Sequence, residues 1–191
     1  MEQQRHHLNY IECYEFLNKE KGLMSDTYWI YVNPHEQKLL LLKSKQIVRW
    51  FLISTAIAGI GTKENSLQTP YGLHKIEKKI GDETPNGAIF KNRVLTGEIT
   101  KIYTDRTKLD QDFITTRILW LQGLEASINQ GDGIDSFQRY IYIHGTPEEG
   151  LIGEPASHGC VRMKNLDILE LYNLVSAGTF VYILNIENHK I

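Results

Sequence analysis

Short runs of apolar, β-branched and aromatic residues, separated by turn residues, follow one another from residue 28 onwards. The first three runs cover residues 28–32, 38–43 and 46–55, and Asn33 and Pro34 introduce a turn after the first run. Because each run has the length of a strand, residues 28–55 are predicted to form a β-meander. The same reasoning predicts further strands at residues 72–80, 114–121, 139–144 and 179–184.

Helical spacing is clearest near the C-terminus. Ile168, Tyr172 and Val175 recur at the spacing of one helix face, with Asn165 as the predicted N-cap and Gly178 as the predicted stop. The expected fold is therefore mainly β with some α, and its one main helix lies near the C-terminus.

Residues 1–25 are predicted to be an N-terminal appendage, followed by a main domain at residues 26–191. The appendage is expected to contain a short helix that ends at Gly22. Its apolar face would be formed by Ile11, Tyr14 and Leu17.

Residues 81–98 are predicted to be an irregular loop. Gly81, Pro85, Asn86, Gly87 and Gly97 interrupt any regular pattern there. A loop of this length inside a compact domain is more often functional than accidental, so we expect it to contribute to function.

Composition and charge limit the possible partners. The chain has 191 residues, about the length of one domain, and its 21 basic and 23 acidic residues leave a net charge of −2. No strong field is available to attract nucleic acid or an anionic membrane. Uncharged stretches such as Trp50–Thr62 are all shorter than the roughly 20 residues that a membrane span needs. Residues 1–7 show no secretory signal, so a cytoplasmic location is expected, or a periplasmic one if a signal peptide is missing.

Two segments contain the residues that most strongly suggest catalysis. The first ends a predicted strand with His144, Gly145 and Thr146, and the second, residues 157–163, has the sequence SHGCVRM. Cys160 lies among polar, flexible residues, unlike the free cysteines that act as small buried hydrophobes. Since a thiol near pH 7 is only a few per cent ionised, a nucleophilic cysteine needs an imidazole.

Two histidines could serve Cys160. His144 is favoured because a strand end holds its side chain firmly, whereas His158, two residues before the cysteine, is expected to point its ring away. The alternatives are structural: a buried cysteine and a capping or core histidine. The other cysteine, Cys13, does not suggest a disulfide framework.

A zinc site is the competing interpretation. His144, His158 and Cys160 could bind zinc with His74 as a fourth ligand. The sequence contains no CxxC, no HExxH and no dinucleotide or phosphate-loop fingerprint. We therefore expect neither a metal nor a cofactor.

The HGT and SHGCVRM segments together resemble the active-site motif of the L,D-transpeptidase catalytic domain (YkuD-like) family. The similarity covers about residues 28–184, which identifies residues 26–191 as the expected catalytic domain. The resemblance implies a β-sandwich of two packed, mixed sheets with a helix. Further segments that look like family features are Ser54-Thr55, Thr69–His74, Lys79–Gly81, Gly87-Ala88, Thr96–Glu98, Thr116–Leu121 and Ala177–Ile183.

The resemblance also implies roles for individual residues. Cys160 would be the nucleophile, His144 its base, and the carbonyl of Gly145 would orient the imidazole. The N–H groups of His158, Gly159 and Cys160 would form an oxyanion hole. Ser157 and Arg162 match motif positions, and either substrate contact or bracing of the loop would explain them. Arg162, Arg117 and Arg139 are candidates to bind a substrate carboxylate, because a guanidinium binds carboxylate in bidentate fashion.

The implied reaction is acyl transfer on peptidoglycan stem peptides. Several of the matching segments resemble a compact branch of cytoplasmic L,D-carboxypeptidases that remove terminal D-alanine from murein tetrapeptides during recycling. The alternative is an L,D-transpeptidase that forms cross-links. A catalytically inactive muropeptide-binding domain would lack the cysteine or the strand-end histidine, and both are present. Carbapenems are expected inhibitors, because a thiolate can open their ring.

Overall fold

The computed structural model describes residues 8–185. The first seven residues, whose sequence predicts no secretory signal, and residues 186–191 lie outside this range. The described part contains two helices, α1 (Tyr10–Lys21) and α2 (Asn165–Leu174). Its ten strands are β1 (Tyr28–Asn33), β2 (Lys38–Lys43), β3 (Gln46–Ser54), β4 (Gly72–Ile80), β5 (Ala88–Lys91), β6 (Val94–Ile99), β7 (Ile114–Gly123), β8 (Tyr142–Gly145), β9 (Val161–Met163) and β10 (Phe180–Ile183). Among these residues no helix has both the length and the apolar composition to cross a membrane.

Strand pairing is continuous around the molecule. The order is β4-β10-β1-β2-β3-β9-β8-β7, and a further pairing between β4 and β7 closes the circuit. The strands of the two expected sheets are thus joined to each other by hydrogen bonds. Pairing is parallel between β1 and β10 and between β8 and β9, and antiparallel elsewhere, so the arrangement is mixed. The mainly β fold with its main helix near the C-terminus is confirmed.

A single large apolar cluster fills the interior. Strand residues such as Ile30, Leu119 and Ile143 pack there with Ile168 and Leu171 of α2, and all five are fully buried. Burial of apolar area on this scale is the dominant favourable contribution to folding. It ties α2 to the strands beneath it.

The boundaries of α2 differ from the prediction. The helix follows Lys164 as its N-cap, and the side chain of Lys164 makes no capping hydrogen bond. Asn165 is instead the first helical residue, because its side chain is used for contacts outside the helix. The helix ends before Val175, and Gly178, with φ of 90°, belongs to the turn that leads into β10.

Helix α1 begins with a capping box and ends at a left-handed glycine. The Asn9 side chain accepts from the N–H groups of Ile11 and Glu12, and Glu12 accepts from the Asn9 N–H group. Gly22 has φ of 68° and ends the helix as expected. The predicted apolar face is partly wrong, because Ile11 is exposed.

The face of α1 that packs on the strands is formed by Cys13, Tyr14 and Leu17. These side chains lie in a second apolar cluster with aromatic residues that include Trp29 and Tyr182. A cysteine counts as a small hydrophobe in such a position.

Residues 81–98 are not an irregular loop. They contain β5 and β6, a hairpin that attaches to β7 through β5. All six residues of β6 are exposed, so the strand has no alternation of apolar and polar residues by which a sequence pattern could reveal it.

Two strands near the motif segments also differ from the prediction. The sequence predicts no strand at β9, and β8 begins at Tyr142 rather than at residue 139.

Docking of α1 can be tested with a matched pair of truncations. Leu17→Ala should lower the free energy of unfolding by about 2–5 kcal/mol, because a fully buried leucine leaves a cavity. Ile11→Ala, on the exposed side of the same helix, should change it by less than about 0.5 kcal/mol. Urea unfolding of both variants measures the difference. Equal effects would contradict the packing of α1 on the strands.

Candidate active site

Parallel pairing of β8 with β9 brings the two motif segments together. Ile143 pairs with Val161 and His144 with Arg162. Cys160 immediately precedes β9 and by strand alternation lies on the same side as Arg162 and His144. Neighbouring strands lie about 4.8 Å apart, and residues two apart along a strand, such as Cys160 and Arg162, are separated by about 6.6 Å. Cys160 and His144 therefore lie diagonally opposite each other across the two strands.

The imidazole of His144 is buried and its tautomer is defined. Its Nδ1 lies 2.7 Å from the carbonyl oxygen of Gly145. Because a carbonyl only accepts, Nδ1 carries the hydrogen in the neutral ring and Nε2 keeps the basic lone pair. Burial lowers the pKa of His144, while the negative charge of Asp112 and the Gly145 hydrogen bond oppose that shift.

The thiol of Cys160 lies between two backbone groups of the segment that leads into β8. The N–H group of Tyr142 donates to Sγ at 3.4 Å, and the thiol donates to the carbonyl of Tyr140 at 3.5 Å. Burial raises the pKa of Cys160 to about 12, although the Tyr142 hydrogen bond acts in the opposite direction. With the pKa of His144 lowered, the resting pair is a neutral thiol and a neutral imidazole.

Ser157 braces the loop that presents the cysteine. Its buried hydroxyl donates to the Cys160 carbonyl at 2.5 Å and accepts from the Gly159 N–H group at 3.2 Å. Gly159 has φ of 134°, a conformation that residues with a side chain rarely adopt. This geometry favours bracing over substrate contact for Ser157. It also occupies the Gly159 N–H group, which leaves the expected oxyanion role to the N–H groups of His158 and Cys160.

Gly145 is required because Asn165 and Thr115 approach it closely. A Cβ atom at Gly145 would lie 2.7 Å from Oδ1 of Asn165 and 2.8 Å from the Thr115 carbonyl oxygen. Asn165 donates to the Thr146 carbonyl and to Glu149, and accepts from Thr115. The start of α2 therefore holds the segment whose carbonyl orients His144.

Arg162 is buried between two carboxylates. Its guanidinium contacts Oε2 of Glu148 and Oδ1 of Asp112, both at 2.6 Å. Asp112 also accepts from the exposed side chain of His158 at 3.0 Å. Burial opposes ionisation of Asp112, but the charge of Arg162 and the hydrogen bonds from Arg162 and His158 hold the pKa of Asp112 below the ordinary value. Both carboxylates were missed by sequence reasoning, because their segments carry no motif.

The two other predicted arginines also have protein partners. Arg117 is buried, donates to the carbonyl oxygens of Thr84 and Thr116, and lies over the ring of Tyr172 on α2. Arg139 donates to three carbonyl oxygens, those of Gly61, Thr62 and Gln68. Arg162 is paired with two carboxylates, whereas Arg117 and Arg139 donate mainly to backbone carbonyls, so a role for any of the three in binding a substrate carboxylate stays a prediction.

A different cation lines the cysteine pocket. Cys160 opens into a pocket of about 520 Å³. Its other lining residues are Asn92, Arg93, Ile114, Tyr140 and Tyr142. Arg93 comes from the turn between β5 and β6, inside the segment predicted to be a loop. Asn92 between two short apolar runs is the signal that could have identified a hairpin there, because asparagine tolerates the left-handed conformation of such turns.

The alternative zinc ligands are not gathered at one place. His74 is buried, with its ring nitrogens 3.0 Å from the Gly72 carbonyl oxygen and 2.9 Å from Oγ of Ser136. Over residues 8–185, no group of three or more histidine, cysteine and acidic side chains is arranged to hold a metal ion.

Comparison with known proteins decides the family. A model of the L,D-transpeptidase catalytic domain family (YkuD) matches residues 27–183. The chain belongs to this family. A segment of 41 residues, 22% of the chain, is 51% identical to a quarter of the YkuD protein of Bacillus licheniformis. The corresponding protein of Bacillus subtilis is 49% identical over 41 residues, again a quarter of its length.

Solved structures of L,D-transpeptidases share the fold. L,D-transpeptidase 3 from Mycobacterium tuberculosis, in complex with a faropenem-derived adduct, superposes with a TM-score of 0.51 at 14% identity. The match covers 83% of this family member and 60% of that chain. An L,D-transpeptidase in complex with imipenem gives a TM-score of 0.50 at 13% identity, over 83% of this chain and 59% of that one. The chain thus spans about three-fifths of these structures.

The buried pairing of Arg162 should be important for stability. Arg162→Ala should lower the free energy of unfolding by about 3–5 kcal/mol, because it leaves two carboxylates without their cation. Arg106→Ala removes an arginine from an exposed pair with Glu154 and should cost about 0–1 kcal/mol. Denaturant unfolding at neutral pH compares the two variants. A loss for Arg162→Ala no larger than for Arg106→Ala would show that the buried network is dispensable.

The neutral resting thiol predicts slow alkylation. Iodoacetamide should modify Cys160 slowly near pH 7 and faster as the pH rises, because only the thiolate reacts. The negative charge of Asp112 raises the pKa of the Cys160 thiol, and Asp112→Asn removes that charge. In this variant the dependence of the alkylation rate on pH should shift to lower pH, so the reaction should be severalfold faster at a given pH. Peptide mass spectrometry follows the site. Asp26→Asn, at an exposed loop position, should leave the profile in place, and a shift to higher pH in Asp112→Asn would contradict this account.

Proposed function

We propose that the protein is a cysteine acyltransferase that acts on peptidoglycan stem peptides, with Cys160 as nucleophile and His144 as base. The observation that carries the proposal is that the parallel pairing of β8 with β9 brings the tautomer-defined imidazole of His144 near the thiol of Cys160, which opens into a pocket. Nucleophile, base and orienting group in this relation are the requirements of covalent acyl transfer.

The neutral pair determines how the reaction begins. As Sγ of Cys160 attacks the substrate carbonyl, its proton passes to Nε2 of His144, and a carbon–sulfur bond forms. The Asp112 charge stabilises the resulting imidazolium, since it favours the protonated ring. The N–H groups of His158 and Cys160 receive the developing oxyanion. His144 then returns the proton to the leaving amine as the carbon–nitrogen bond breaks, which leaves a thioester.

The proposed substrate is a murein tetrapeptide, and the proposed main reaction is removal of its terminal D-alanine by hydrolysis of the thioester. The choice of hydrolysis is supported by the resemblance of several segments to the carboxypeptidase branch and by the β5–β6 hairpin, whose Asn92 and Arg93 line the cysteine pocket. The alternative is transpeptidation, in which an amine of another stem peptide resolves the same thioester. Recycling of soluble muropeptides would place the protein in the cytoplasm, and cross-linking would place it in the periplasm.

Carbapenems are proposed as inhibitors of the same site. Solved members of the fold include a complex with imipenem and an adduct derived from faropenem. Acylation of Cys160 by opening of the β-lactam ring would use the same thiol, base and oxyanion site as the peptide reaction. Mass spectrometry of the intact protein would show the adduct.

Turnover of a disaccharide tetrapeptide tests the proposal directly. The wild type should release D-alanine and yield tripeptide, with little tetrapeptide–tripeptide dimer in the presence of amine acceptors. Cys160→Ala should lower the rate at least about 1,000-fold with the fold intact, whereas Cys13→Ala should retain the rate per folded molecule. Mass spectrometry separates the products. Predominant dimer would assign the transpeptidase reaction, and full activity of Cys160→Ala would refute the mechanism.

A further inference from the structure

The turn between β5 and β6 holds an arginine where glycine is favoured. Lys91 pairs with Val94 across a two-residue turn, and the two central residues, Asn92 and Arg93, have φ of 51° and 68°. Positive φ at both positions defines the turn type for which Asn-Gly is preferred. Arginine in the second position is conformationally unfavourable, so the turn itself does not account for its presence.

The Arg93 side chain is held in place by aromatic groups. Its guanidinium carbon lies 4.5 Å from the ring centre of Tyr140 and 5.0 Å from that of Trp120. One nitrogen donates to the hydroxyl of Tyr142 at 3.2 Å. Stacking on aromatic faces positions a guanidinium while the donors at its edge stay available.

Arg93 also keeps its charge uncompensated. No carboxylate in residues 8–185 forms an ion pair with it, in contrast to Arg162, which has two. A guanidinium has five N–H donors, and the one bond to Tyr142 leaves most of them for a ligand. The charge faces the same pocket as the thiol of Cys160.

We propose that Arg93 binds a carboxylate of the acyl donor next to Cys160 and so selects substrates with an acidic group near the scissile bond. This inference rests on the proposed function for the identity of the donor. In a tetrapeptide ending in a D-residue, the carboxylate is either the C-terminal one or that on the side chain of the preceding diamino acid. A bidentate contact from the fork of the guanidinium suits both.

Kinetics with Arg93→Gly provide the first test, because glycine suits the turn and removes the guanidinium together with the rest of the side chain. The variant should unfold at the same or a higher temperature than the wild type. It should lose about 10- to 100-fold in kcat/KM on the free-acid tetrapeptide, mainly through KM. Arg93→Gln, which keeps a polar side chain, should lose a similar amount. Lys91→Gln, which removes an exposed charge from the same hairpin, should change kcat/KM less than about twofold.

Two amidated substrates identify the carboxylate. One carries an amide at the C-terminus and the other an amide on the diamino acid side chain. If Arg93 binds the carboxylate that one of these substrates has lost to amidation, that substrate should react slowly with the wild type and just as slowly with Arg93→Gly. The other amidated substrate keeps the carboxylate that Arg93 binds, so it should react faster with the wild type than with Arg93→Gly. Equal losses on all three substrates, or no loss on any, would overturn the inference.

A second measurement is independent of any peptidase activity. Iodoacetate and iodoacetamide alkylate the same thiolate, but iodoacetate carries a carboxylate where iodoacetamide carries a neutral amide. The rate with iodoacetate divided by the rate with iodoacetamide, measured at Cys160, should fall severalfold in Arg93→Gly and stay unchanged in Lys91→Gln. An unchanged ratio in Arg93→Gly would overturn the carboxylate contact. A protein that shows the expected ratios but turns over no muropeptide would overturn the proposed function and leave the contact supported.

Discussion

The guanidinium of Arg162 lies buried between Glu148 and Asp112, and three separate segments meet at this contact. It ties β9 to the segment after β8, through Glu148, and to the segment before β7, through Asp112. Because a buried charge is tolerated only when it is paired, each segment holds the others in position. Asp112 also accepts a hydrogen bond from His158, and its negative charge raises the pKa of His144. The site therefore depends on the pairing of Arg162 with Asp112 and Glu148.

The chemistry follows from the surroundings of the two groups: His144 is buried, and the half-buried Cys160 opens into the pocket. Burial raises the pKa of Cys160 and lowers that of His144, so neither group is charged at rest. In the proposed mechanism, attack creates a cation on the imidazole, which Asp112 favours, and removes the proton from a thiol that burial had kept neutral. In this proposal the imidazolium forms only when substrate reacts, and electrostatic preorganisation replaces an activated resting thiolate.

Unfavourable backbone conformations lie around the same pocket. Tyr140, whose carbonyl accepts from the thiol, has φ of 57°. Asn92 and Arg93, the two central residues of the hairpin turn, have φ of 51° and 68°. Such residues persist only where the surrounding structure holds them, and they often lie at functional sites. Here they orient the groups that border the cysteine.

The local sequence pattern was sufficient to predict the meander of residues 28–55, the helix α2 and the segments that contain His144 and Cys160. Strand runs, helix spacing and short motifs are all contiguous in the chain, so they can be identified without the tertiary structure. Tertiary structure alone decided the partners of the charged side chains. Arg162 finds Asp112 fifty residues earlier in the chain, and the exposed strand β6 has no periodicity to reveal the turn that carries Arg93. An arginine looks the same in sequence whether its guanidinium is neutralised by the fold or left free for a ligand, since that depends on which distant segments pack around it.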